Sequence, residues 1–65
     1  MIIAVKADCE TNMEYFLNDL EGKNIHGNYS ITVRDADSGE YVPSAKIFKT
    51  FVDAEAAFYS IKIFN

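Results

Sequence analysis

A single cysteine and a single histidine are the feature that most constrains what this 65-residue chain can fold into. Cys9 has no second cysteine for an internal disulfide, and Cys9 and His26 together are too few to build a Cys/His metal cage. A chain this short buries only about 60% of the surface that its unfolded form exposes, so its stability needs a dense core or association. Because 49% of its residues are hydrophobic, we expect one small domain over residues 1–65, without cofactor or metal.

The charge pattern narrows the classes of partner. Ten acidic and six basic residues give a net charge of −4, and the bases are scattered along the chain. Direct nucleic-acid binding is therefore disfavoured, because phosphates repel an acidic surface. No run approaches the roughly 20 apolar residues of a membrane span, and residues 2–5 are too short for a signal-peptide core. With one cysteine, these features predict a cytoplasmic protein, in the host cytoplasm if it is phage-encoded.

The first part of the chain predicts a strand followed by a helix. Residues 2–7 are branched and apolar on both faces, which is typical of a strand in the centre of a sheet. A helix is then expected to begin at Asp8, or at the capping-box pattern that opens with Thr11, and to end at Glu21 before Gly22. Its apolar residues recur at the i, i+3, i+4, i+7 spacing of one helix face: Met13, Phe16, Leu17 and Leu20.

The middle of the chain predicts an antiparallel hairpin. Residues 28–35 alternate between apolar and polar side chains, as a half-buried strand does. Residues 35–39 have the composition of a turn, with Gly39 suited to a positive φ. The return strand over residues 40–48 is interrupted at Pro43, which has no amide hydrogen to donate to a neighbouring strand.

A second helix is expected to complete the fold. It begins at Thr50, with Asp53 as the partner in a capping-box-like pattern, and extends to about Lys62. Residues 60–64 also alternate like a short strand, but no turn residue separates them from the helix, so we prefer helix. The order β-α-β-β-α predicts an α+β fold in which a small antiparallel or mixed three-stranded sheet packs both helices on one face.

The second helix carries two apolar stripes on nearly opposite sides. One stripe consists of Phe51, Ala54, Phe58 and Ile61, and the other of Val52, Ala56, Tyr59 and Ile63. One must pack on the sheet, since a helix that is apolar all round is usually buried. The second stripe either packs against the first helix or binds a partner chain or a second copy.

Acidic residues predict a charged outer face on the first helix. Steps of four and three residues would place Glu10, Glu14 and Glu21 on roughly one side, with Asp19 nearby. Like charges four residues apart cost a few tenths of a kcal/mol per pair, roughly, and a basic protein surface would offset that cost. The alternative is a solvated face that serves solubility alone.

The sheet face opposite the helices offers another hypothesis. It is expected to show Ser30, Thr32 and Arg34, and Lys6 and either Phe48 or its neighbours could join them from neighbouring strands. A face that mixes bases with an aromatic ring could stack a single nucleic-acid strand.

Catalysis has little support in the sequence. Cys9 and His26 could form a nucleophile and a base. Cys9, however, would fall on the apolar face of the first helix as a buried residue, and His26 would lie solvated in a loop. None of the common catalytic or phosphate-binding motifs is present, so we expect no enzyme.

The function expected from these features is a non-enzymatic protein-binding module. In size and charge the chain is similar to small phage-type inhibitors of host machinery, such as anti-CRISPR-like proteins, and its second half resembles a hairpin–strand–helix pattern common in small phage and bacterial proteins. The partner-binding residues would be acidic, Glu10, Glu14, Asp19 and Glu21, and apolar, Val52, Tyr59 and Ile63, the latter forming an anchor or a homodimer seam. The alternatives are a dimeric nucleic-acid-associated regulator that binds through its sheet face, and a structural subunit of a larger complex.

Overall fold

Four strands and one helix form the part of the chain that the structure, a computed structural model, describes, residues 1–43 and 45–61. The elements in chain order are β1 (Ile2–Asp8), β2 (Met13–Asp19), β3 (Tyr29–Asp35), β4 (Lys46–Phe48) and α1 (Phe51–Tyr59). The strands are all antiparallel and lie side by side in the order β1-β2-β3-β4. α1 packs on one face of this sheet, against β2, β3 and β4.

The predicted first helix is wrong, because its residues form the turn after β1 and the whole of β2. Asp8 Oδ1 accepts hydrogen bonds from the backbone N–H groups of Glu10 (2.9 Å) and Thr11 (3.3 Å), which is how a helix N-cap side chain acts. The turn does not continue into a helix, since Asn12 has a φ of 58°. A left-handed residue reverses the chain there, and β2 returns along β1.

β2 is a central strand that also has the apolar spacing of a helix. Phe16 and Leu17 are consecutive and both buried, so β2 buries both of its faces, as central strands do. Pairing with β1 on one side and β3 on the other supplies backbone partners along its length. The predicted three-stranded sheet with two helices is therefore wrong, and the described residues form a four-stranded sheet with one helix, still an α+β fold.

The other strand predictions have mixed outcomes. β1 forms as predicted, but at the edge of the sheet and not at its centre. β3 is confirmed with its alternation, since Ile31 lies under the helix while Ser30 faces the opposite side. The turn is confirmed too: Asp35 Oδ1 accepts from the Asp37 N–H at 2.8 Å, and Gly39 has a φ of 75°.

α1 begins at the predicted cap and ends earlier than predicted. Thr50 Oγ1 accepts a hydrogen bond from the Asp53 N–H at 3.2 Å, and Ser60 is the C-cap residue. Of residues 60–64, for which helix or strand was expected, Ser60 and Ile61 are in neither, and residues 62–64, with the expected helix end at Lys62, lie outside the described residues. The core between α1 and the sheet consists of Leu17, Ile31, Ala54 and Phe58.

Lys6 fastens the end of α1 to β1. Its Nζ donates to the carbonyl oxygens of Phe58 (3.0 Å) and Ile61 (3.3 Å) and lies 5.1–5.2 Å from the ring centroids of Phe58 and Tyr59. A helix C-terminus carries unpaired carbonyls and a partial negative charge, both of which a cation stabilises. No basic residue occupies the last turn of α1 itself, so a distant strand supplies this charge.

Replacing the cap hydroxyl should weaken the domain measurably. We expect Thr50→Ala to lower the free energy of unfolding by about 1 kcal/mol, because the Asp53 N–H loses its acceptor. In a domain of this size that corresponds to a fall in Tm of roughly 4–8 °C. Thr50→Ser keeps the acceptor and should stay close to the parent in thermal melts followed by circular dichroism. Equal losses in the two variants would contradict the capping role.

Candidate functional site

Among the described elements, none packs on the sheet face turned away from α1. Paired residues on neighbouring strands share a face, so the strand register assigns this surface. We call it the open face, and it comprises Ile2, Val5, Ala7, Glu14, Phe16, Asn18, Ser30, Thr32, Arg34, Tyr41 and Ile47.

Polar side chains in the middle of the open face bond to one another. Asn18 Nδ2 donates to Thr32 Oγ1 at 3.0 Å and to Ser30 Oγ at 3.3 Å. The Ser30 side chain is buried, and this amide gives its hydroxyl a partner. These residues form a rigid polar strip between apolar neighbours.

A cross-strand ion pair stands at one end of the open face. Arg34 Nε donates to Glu14 Oε1 at 2.8 Å, and the two residues lie directly opposite each other on β3 and β2. The hydrogen bond and the charge of Glu14 together raise the pKa of the Arg34 guanidinium above its ordinary value. Arg34, charged at every physiological pH as any arginine is, already donates from two of its nitrogens to Glu14 Oε1.

Arg34 and Tyr41 cover a buried aromatic ring. The Arg34 guanidinium carbon lies 5.4 Å from the centroid of the Phe16 ring, and the Tyr41 ring lies 6.1 Å from it at an angle of 47°. Tyr41 reaches this position because it forms an isolated bridge with Arg34 just after the turn. Aromatic rings attract cations and tilted aromatic neighbours, so this cluster is held in place.

Several large apolar side chains on the open face remain exposed. Ile2 is 53% exposed, Val5 52% and Tyr41 56%, and Ile47 on the opposite edge strand is exposed as well. Single exposed apolar residues are ordinary, but several on one sheet face form a patch typical of an interaction surface.

The acidic residues that were predicted as one docking face are not brought together. Glu10 lies in the turn after β1, and Glu21 lies in the loop at the opposite end of β2, 3.8 Å from Lys23. Glu14 is on the open face with Arg34, whereas Asp19 is in register with Tyr29 on the helix face. The shared face that helical spacing implied does not exist, because β2 is a strand and turns alternate residues to opposite sides.

The second apolar stripe of α1 is at the surface. Val52 is 72% exposed, and the next two residues of the stripe, Ala56 and Tyr59, are exposed as well. The alternative in which this stripe packs against the first helix is wrong, since those residues form β2. Ile63, the last predicted residue of the stripe, lies outside the described residues.

The predicted composition of the opposite sheet face was correct for β3 and correct only in part for its neighbours. Ser30, Thr32 and Arg34 lie there as expected, and so does Ile47 next to Phe48, but Lys6 and Phe48 are on the helix side. Sequence reasoning missed Val5, Phe16 and Tyr41. Glu14, Phe16 and Asn18 are spaced two residues apart, like side chains on one face of a strand, and this spacing could have indicated β2. The same segment, however, also satisfies a helical pattern.

Cys9 and His26 are far apart in the fold. Cys9 is exposed in the turn at one end of β2, so the prediction that it is buried is wrong, and His26 is exposed in the loop beyond the other end. Over residues 1–43 and 45–61 the structure contains no cavity and no group of three side chains suited to a metal ion. None of the described helical residues forms a span long and apolar enough to cross a membrane.

Comparisons of the chain with known protein families, with curated proteins and with solved structures give no match.

Proposed function

We propose that this chain is a non-enzymatic protein-binding module that acts by occupying a surface of a larger protein in the cytoplasm. The observation that carries the proposal is the open face, where Ile2, Val5 and Tyr41 are more than half exposed and Tyr41 packs in a cluster with Phe16 and Arg34. The small size and acidic charge suit an inhibitor of the phage type, and we include this narrower class of protein in the proposal.

The open face has the composition of a binding surface with an aromatic anchor. Interface energy is concentrated in Tyr, Trp and Arg residues at the centre of a patch, with other residues excluding water around them. Tyr41 is held over Phe16 before any partner arrives, so ordering it costs little on binding. The net charge of −4 would speed association with a basic partner, and this contribution would fall with added salt.

Charge makes a protein a better candidate than a nucleic acid for this face. Lys6 donates to the end of α1 on the other side of the sheet, and Arg34 is paired with Glu14. The open face therefore offers no unengaged base among its defining residues. Phosphate binding gains its affinity from such bases, so the regulator alternative has the weaker support.

Variants of the open face test the proposal on a captured partner. The tagged chain is incubated with lysate from its source or host, with and without nuclease, and retained proteins are identified by mass spectrometry. We expect one stoichiometric protein that survives nuclease and whose affinity falls at least about tenfold in Tyr41→Ala and in Ile47→Lys. Ile25→Lys is the matched control, because Ile25 is 95% exposed in the loop between β2 and β3.

Three other outcomes would count against this assignment. Retention that depends on nucleic acid would favour the regulator alternative. A captured protein released by Val52→Lys but not by Tyr41→Ala would move the site to α1. A chain that aggregates alone and folds only with its captured partner would favour the structural-subunit alternative.

A further inference from the structure

Strand pairing brings two acidic turns together at one end of the open face. The turn between β1 and β2 meets the turn after β3, where the Ala36 N–H donates to the Asn12 carbonyl oxygen at 3.0 Å and Asn12 Nδ2 donates to Asp37 Oδ1 at 2.6 Å. Residues 8–12 and 35–40 contain no basic residue and five acidic ones, which we call the acidic end: Asp8, Glu10, Asp35, Asp37 and Glu40.

The carboxylates of the acidic end have no basic partner within the described part of the chain. Ion pairs form there at Glu14 and at Glu21, and at none of the five residues of the acidic end. Glu10, Asp37 and Glu40 are exposed. Their negative charge is therefore accessible to the basic groups of another molecule.

The opposite end of the open face carries charges of both signs. The Met1 ammonium group donates to the Asp19 carbonyl oxygen at 2.7 Å, and Lys23 Nζ lies 3.8 Å from a carboxylate oxygen of Glu21 in the loop after β2. The two positive charges of Met1 and Lys23 balance the two carboxylates of Asp19 and Glu21. The open face is thus bordered by excess negative charge at one end only.

The aromatic anchor lies at the acidic end. Tyr41 directly follows Glu40 and is 56% exposed. Ile2 and Ile47 lie toward the opposite end, because they are in register with residues near the end of β2 and the start of β3. A partner that covers these apolar side chains therefore meets the carboxylates along one border of the contact, beside Tyr41.

This charge distribution favours a different protein over a second copy of the chain. In a face-to-face pair of copies, the acidic end of one copy would lie over the acidic end of the other or over the end where charges balance. Neither arrangement supplies opposite charge, and the first brings like charges together. Basic side chains beside an apolar patch on another protein would supply it.

We infer that the protein partner presents an apolar patch with Lys or Arg side chains along one border, and that it binds the open face in one orientation, with this border against the acidic end. Apolar contact with Tyr41 and the other exposed side chains gives affinity, while the charges fix the orientation and speed association. The inference rests on the proposed function and specifies the chemistry and orientation of the partner.

A spin-labelled peptide tests the orientation on the whole chain. In the probe, Leu-Trp-Leu is followed by two Arg residues, and a nitroxide is attached at either the apolar or the basic terminus; a second peptide has Glu in place of Arg. We expect the label on the basic terminus to broaden the NMR signals of Glu10 and Glu40, and the label on the apolar terminus those of Ile2 and Ile47. The Arg peptide should bind at least about tenfold more tightly than the Glu peptide.

Two double variants with the same change in net charge measure the preference by a second route. Glu10→Gln with Glu40→Gln neutralises two carboxylates at the acidic end, whereas Glu21→Gln with Ile25→Lys makes an equal change of charge in the loop at the opposite end. At low salt we expect the first to weaken binding of the Arg peptide and of a captured partner at least about fivefold, and the second by less than about twofold.

Several results would overturn the inference. They are no binding at millimolar peptide, broadening that does not depend on which terminus is labelled, and equal losses in the two double variants. A concentration-dependent dimer that Tyr41→Ala abolishes would assign the open face to a second copy. If Tyr41→Ala releases a captured partner that both double variants bind equally well, the assigned orientation fails and the protein-binding proposal stands.

Discussion

Phe58→Ala should leave much of the population unfolded at 25 °C. Phe58 is 1% exposed and, with Leu17, Ile31 and Ala54, forms the core that joins α1 to the sheet. Truncating a buried Phe to Ala typically costs about 3–5 kcal/mol, from lost apolar burial and the cavity left behind. A domain of this length has a total stability of roughly 3–10 kcal/mol, so the loss is comparable with the whole.

Urea unfolding followed by circular dichroism measures this effect. The control is Val52→Ala on the same helix, where the parent side chain is already in solvent, and we expect it to stay within about 0.5 kcal/mol of the parent. A loss below about 1 kcal/mol in Phe58→Ala would show that α1 contributes little to the stability of the sheet.

Gly27→Ala should be the second most damaging substitution, at about 2–3 kcal/mol. A Cβ at Gly27 would stand 2.4 Å from the carbonyl oxygen of Phe48 and 2.9 Å from Ile47 Cγ2. The first of these is a backbone atom of β4, so the loop and the strand would have to separate. Overpacking of this kind costs about 1–3 kcal/mol, and losing the β3–β4 contact would place the cost at the upper end.

Gly22→Ala separates this effect from the ordinary cost of replacing glycine. Gly22 has a φ of 73°, and a Cβ there would meet no atom within 4 Å. Its replacement should cost about 1–2 kcal/mol, from the left-handed backbone alone. If chemical denaturation ranks Gly22→Ala as the more destabilising variant, close approach at β4 is not what requires glycine at position 27.

The location of the open face also changes how charge-reversal experiments should be read. Glu14→Lys would place two cations opposite each other on β2 and β3, because Glu14 is the partner of Arg34. Loss of binding in that variant would therefore mix a local effect on the sheet with any effect on a partner. Glu10→Lys changes an exposed charge in the turn after β1 and reports more directly on association, whereas Glu21→Lys also replaces the ion pair with Lys23 by two like charges.

Residues 8–21 show why the candidate site was located only in part from the sequence. Met13, Phe16 and Leu17 satisfy helical spacing. The same segment also fits a strand, with Tyr15 and Leu17 on one face and Phe16 and Asn18 on the other. Even the local capping interaction of Asp8 forms, with the donors expected at a helix start. Because this segment was predicted as a helix, Phe16 was not recognised as part of the open face, and the acidic residues were predicted to share a helix face that does not form.

The sequence by itself determined the features that depend on neighbouring residues. The alternation of β3, the turn that ends at Gly39 and the cap at Thr50 are fixed by side-chain period, backbone freedom and hydrogen bonds over a few residues. The tertiary structure decided whether β2 is strand or helix, that β1 lies at the edge, and which side chains share the open face. Those outcomes depend on pairing between distant strands, whose hydrogen bonds and shared burial outweigh local propensities that are nearly balanced.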